Sequence, residues 1–95
     1  MQNDPIYQQG VKQVDAQTAC WMKEIRSERG TKMDLQTAAY SVMARCARET
    51  LQYKEWSAQN SKRTPSQFAE YWELHERGDL EQVKKLLAIR RTQQF

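Results

Sequence analysis

Cysteine is scarce in this chain: Cys20 and Cys46 are the only two among 95 residues. Two thiols are too few for a disulfide scaffold. Glycine occurs three times and proline twice. Turns are therefore few, elements must be long, and the punctuation argues for helices. No apolar run approaches the roughly 18 residues that a membrane span requires. The opening "MQNDPIYQQG" lacks the basic start and apolar stretch of a secretory signal, so cytoplasmic residence is the default expectation. No stretch alternates apolar and polar residues long enough to read as a strand.

What remains is a polar chain with 39% hydrophobic and 28% charged residues and a net charge of +3. Mean hydropathy is -0.95 and the pI is near 9.0. The length sets one small domain, which buries only about two-thirds of its unfolded surface. The mild positive excess tilts only slightly toward nucleic acid.

Four helices follow from the periodicity. Tyr7, Val11, Val14, Thr18, Trp21 and Ile25 form an amphipathic seam over residues 5–29. Asp4 and Pro5 suit its start, with Asp15 as a second candidate cap, and Gly30 suits its end. Residues 34–58 hold no glycine or proline and read as one helix roughly 37 Å long. In "TPSQ", Thr64 caps, Pro65 takes the first helical position and Gln67 reaches back, opening a helix over 65–77. Gly78 is expected to end it, and Asp79 to cap a fourth helix over 80–93 whose buried stripe is Leu80, Val83, Leu86 and Leu87. The fold class expected is all-α: a small four-helix bundle of two helical hairpins with a long central second helix.

That second helix is apolar on two sides. Leu35, Ala38, Ala39, Val42, Cys46, Tyr53 and Trp56 form one stripe; Tyr40, Met43, Ala47 and Leu51 form another. Both stripes need cover, either from the other helices or from a partner. An antiparallel hairpin turning at Gly30 and Thr31 sets Cys20 level with about residue 41. Cys46 is then roughly 8 Å further along, beyond disulfide reach. Cys46 reads as core packing and Cys20 as an exposed thiol.

No catalytic constellation emerges. His75 is the single histidine and sits among Phe68, Tyr71 and Trp72, as a half-buried core histidine would. One histidine and two distant cysteines have no metal-ligand spacing, and no phosphate loop exists. No catalytic residue, cofactor or metal is expected. A thiol enzyme or sensor through Cys20 remains the third-ranked reading.

The leading expectation is a small non-enzymatic accessory or regulatory protein that docks on a protein partner, itself or foreign. Small helical proteins of this kind are common among phage and mobile-element regulators and inhibitors. Its contacts would come from Tyr40, Met43, Ala47, Leu51, Tyr71, Trp72 and Leu74. The alternative is a nucleic-acid binder that contacts phosphates through Arg45, Arg48, Lys62, Arg63, Lys84, Lys85, Arg90 and Arg91. No membrane role is expected.

Overall fold

The computed structural model describes residues 4–27 and 33–93. They form four helices: α1 (Pro5–Ser27), α2 (Leu35–Arg45), α3 (Ala47–Gln59) and α4 (Pro65–Gln93). Among the described residues there are no strands, and no helix is long and apolar enough to cross a membrane. The all-α expectation holds. The element boundaries differ in two places, and both differences have physical causes.

The starts are set locally. The Asp4 carboxylate accepts from the Ile6 amide at 2.9 Å, so α1 begins at Pro5 and runs through Gly10 without needing Asp15. Asp34 caps α2, accepting from the Thr37 amide at 3.0 Å and the Thr37 hydroxyl at 2.7 Å. At α4 the capping box closes in both directions. The Gln67 amide donates to the Thr64 hydroxyl at 3.2 Å, and the Thr64 amide donates to Gln67 Oε1 at 2.9 Å. The stop expected at Gly30 lies outside the described residues.

The helix expected over 34–58 is two helices, split at Cys46. This residue has φ -104° and ψ 17°, outside the helical basin. No glycine or proline explains the break. The break coincides with a cross-link: Cys46 is bonded to Cys20 on α1, with the two Cα atoms 5.9 Å apart. The register behind the earlier expectation was wrong. Cys20 faces Cys46, Gln17 faces Thr50 at 2.8 Å, and Glu24 faces Arg45 at 3.3 Å. These pairs are centred near residue 33, midway between the two cysteines, and the turn expected at Gly30 and Thr31 lies outside the described residues. Among the described residues no cysteine is free, so the exposed Cys20 thiol is also corrected.

The second difference is α4, which is the long helix and passes straight through Gly78. Trp72, Asp79, Val83, Leu87 and Arg90 succeed one another at helical spacing, so one inward stripe crosses the glycine without a change of face. That shared packing outweighs the cost of an interior glycine, about 1 kcal/mol. Asp79 caps nothing: it turns back to His75, one turn earlier.

Trp21, Ile25, Ala38, Ala39, Val42, Cys46, Val83 and Leu87 form the core, with Leu35, Met43, Leu80 and Leu86 packed on its edge. α2 lies along α4 and α3 along α1. α3 contributes no fully buried residue. It is fastened by the cystine, by the Gln17–Thr50 hydrogen bond and by the Trp56 ring seated on Gly10. A methyl at Gly10 would overlap that ring. The molecule measures 42 × 30 × 19 Å with a radius of gyration of 14.8 Å, against about 12 Å for a compact chain of this length. It is only two helix layers thick in its thinnest direction, and apolar faces on the outer sides lack a third layer. Tyr7, Val11 and Val14, expected in the α1 seam, are such residues: they are exposed, while Gly10, Gln17, Trp21 and Ile25 face inward.

Candidate functional site: an apolar trough beside α4

The break at Cys46 has a consequence for surface shape. α2 lies along α4, whereas α3 lies along α1 and touches α4 through Tyr53, whose ring is 5.8 Å from Trp72 and 5.7 Å from His75. Between the α2–α3 wall and α4 lies a trough of about 640 Å³. Met43, Ala47 and Leu51 rise along the α2–α3 wall at four-residue spacing, and Trp72 and Leu80 face them from α4. Tyr40 and Leu51 are 55% and 54% exposed, too open for core and set too regularly for scattered surface residues. The rim is charged, with Lys54 on α3 and Glu73, Glu76 and Arg77 on α4. Arg77 and Glu73 pair at 2.7 Å.

Five of the seven residues expected at a protein interface therefore line one feature: Tyr40, Met43, Ala47, Leu51 and Trp72. Trp72 is buried and forms its floor. Tyr71 and Leu74 do not line it. Tyr71 is half-buried and carries the Arg63 guanidinium 3.9 Å over its ring, while Leu74 is exposed on α4 away from the trough. Sequence reasoning missed Leu80 and the charged rim. The missing signal was the continuity of α4, which carries Leu80 and Trp72 on a single rod.

The cations of the phosphate-binding alternative are dispersed. Arg90 is buried, and Arg91 donates to the Met33 carbonyl at 2.6 Å. Arg45 pairs with Glu24, Lys84 pairs with Glu81 at 3.5 Å, and Arg63 stacks on Tyr71. Arg48, Lys62 and Lys85 are exposed on α3, on the loop after it and on α4.

An aromatic cluster lies behind the trough. The His75 ring stacks on Trp72 at 4.6 Å, with Tyr53 and Tyr71 at 5.7 and 6.0 Å. His75 Nε2 is 3.3 Å from Asp79 Oδ2, at an angle that falls short of a hydrogen bond. Burial pushes the Asp79 carboxyl above its usual range, against the opposing pull of His75. Burial likewise raises the Tyr53 hydroxyl. Neither His75 nor Asp79 lines the trough or the smaller hollow beside Tyr7, Val11 and Trp56. Among the described residues no group of histidine, cysteine and acidic side chains has the makings of a metal site. Comparison with protein-family models, curated proteins and solved structures gives no match.

Proposed function

We propose that this chain is a small accessory or regulatory protein that acts by binding a partner protein, with no catalysis of its own. The occupant of the trough is an amphipathic helix of that partner. The carrying observation is the trough, with its apolar floor, its charged rim and a length suited to a helix. Tyr40 to Leu51 spans about 16 Å of helical rise, or three turns. Apolar anchors one turn apart on one wall match the i, i+4, i+7 face of a docking helix. Glu76 on one rim, where Glu73 is already paired with Arg77, and Lys54 on the other favour a helix with a basic residue along one flank and an acidic residue along the opposite one. The dispersion of the basic side chains supports this reading over a phosphate-tracking surface.

The cystine bears on where the protein works. Structural disulfides belong as a rule to oxidising compartments, and cytosolic ones are typically transient. Residence in the cytoplasm would thus require a bond that opens and closes.

The test is selection from a displayed library of 16-residue amphipathic helices, run against the oxidised protein and counter-selected on Leu51→Asp. The expected result is enriched helices with apolar i, i+4, i+7 spacing and charged flanks as described. Light scattering across a concentration range runs beside it. A monomer agrees with a foreign partner, whereas a dimer abolished by Leu51→Asp would replace the foreign helix with a second copy. Absence of enrichment from a monomeric protein, or binding whose affinity collapses between low and moderate salt as phosphate contacts do, overturns the proposal.

A further inference from the structure

We propose that the Cys20–Cys46 bond is a redox latch for the trough: oxidised, it holds the helix broken and the trough open; reduced, it lets residues 35–59 run as one helix that closes it. The consequence for binding rests on the trough reading above, but the conformational change does not.

The break falls at the cross-linked residue. Residues 35–59 contain neither glycine nor proline, and main-chain bonds spanning four residues already reach both ways from Cys46. Its amide donates to Val42 at 3.1 Å, and its carbonyl accepts from Thr50 at 3.0 Å. The helical ladder is interrupted at Cys46 itself. A continuous helix would join the amides of Ala47, Arg48 and Glu49 to the carbonyls of Met43, Ala44 and Arg45. As built, Cys46 occupies the cap position of α3 without a side-chain hydrogen bond, because its sulfur is committed to Cys20. The first-turn amides of a helix are the ones a capping side chain would serve.

The bond is also the strongest tether between α3 and α1, since α3 has no fully buried residue to hold it there. Once released, α3 continues the direction of α2, which lies on α4. Ala47 and Leu51 then move across the trough toward Trp72 and Leu80, while Lys54 already lies over the Trp72 ring, its Nζ 5.9 Å from the centroid.

The chemistry is thiol–disulfide exchange with a dithiol reductant. Cys46 is fully buried and Cys20 only partly, so the reductant's thiolate attacks Cys20 Sγ. The Cys20–Cys46 bond breaks, and Cys46 leaves as a thiolate and takes up a proton. The reductant's second thiolate then attacks its own sulfur in the mixed disulfide and releases Cys20, which is protonated in turn. Two electrons pass to the protein, and the reductant ends as a disulfide.

Hydrogen exchange by NMR, with no partner present, tests the latch. The full chain is compared oxidised, after reduction with dithiothreitol, and as Cys20→Ser, which leaves Cys46 in place. The expected result is at least tenfold slower exchange for the Ala47, Arg48 and Glu49 amides in the reduced protein and in Cys20→Ser. New contacts should appear between the Leu51 and Leu80 methyls. Unchanged exchange at these three amides in a reduced protein that remains folded overturns the latch. So does a reduced protein whose α3 amides all exchange at unfolded rates. If Cys20→Ser does not fold, reduction of the unmodified chain decides alone. If the latch is seen but no helix binds in either state, the docking proposal fails and the latch stands.

Discussion

Reduction of the cystine should cost less stability than the cross-link alone is worth. The bond joins residues 26 apart. By the chain-entropy relation, closing a loop of that size in the unfolded ensemble is worth about 3.5 kcal/mol. The reduced fold recovers part of this if the helix rejoins. If all three of the main-chain hydrogen bonds of a continuous helix across Cys46 are regained, at about 0.7 kcal/mol each, they return about 2 kcal/mol. The net loss is then about 1.5 kcal/mol. With a urea slope of about 1.5 kcal/mol per molar, the midpoint should fall by about 1 M. The assay is urea unfolding followed by tryptophan fluorescence, with and without a phosphine reductant. Fluorescence suits it because Trp21 lies in the core and Trp56 on Gly10. A fall of about 2.3 M or more, the uncompensated value, refutes the rejoined helix. An unchanged midpoint refutes the cross-link.

The two described glycines should respond oppositely to alanine. Gly78 is exposed in mid-helix with open space around it, so Gly78→Ala should raise the unfolding free energy by up to about 1 kcal/mol. A loss would mean that α4 breaks there. Gly10→Ala meets the Trp56 ring, so near-ultraviolet circular dichroism should change as the ring is displaced, and the helix-propensity gain should not appear as stability. Asp79 has a folded pKa above its unfolded one, chiefly through burial, so its contribution is favourable at low pH and is lost as pH rises through the folded value. Asp79→Asn should accordingly be more stable than the parent near pH 7, with the advantage gone below the ordinary carboxylate value of about 3.9; equal urea midpoints at pH 7 would contradict this. Asp34 runs the other way. Hydrogen bonds from Thr37 depress its pKa, so the stability it lends is present at neutral pH and lost in acid, and Asp34→Asn should flatten the acid limb of the stability profile.

What was legible in the sequence was the local part. Asp4, Asp34 and the Thr64–Gln67 box each act within four residues of themselves, and their hydrogen bonds lie where the pattern put them. The apolar face of α4 was legible residue by residue, but its continuity was not. A glycine followed by aspartate is an ordinary helix stop, and only packing along Trp72, Val83 and Leu87 overrides it. The cystine was illegible for a related reason. Its partners are fixed by the register of α1 against the next helix, and a shift of five residues there separates disulfide reach from isolation. The break falls at the cross-linked residue, and the trough lies beside it. Tyr40, Met43, Ala47 and Leu51 could be named as one stripe, since helical spacing alone groups them. Their opposite wall could not, because it depends on where α4 lies.

The most direct test maps a selected amphipathic helix on the oxidised protein by amide chemical-shift perturbation, alongside binding to Leu51→Asp and Leu74→Asp. The account predicts shifts concentrated at Met43, Ala47, Leu51, Trp72 and Leu80, with binding lost in Leu51→Asp and retained in Leu74→Asp. Shifts gathered elsewhere, such as around Val11 and Val14, or undiminished binding to Leu51→Asp, would contradict it.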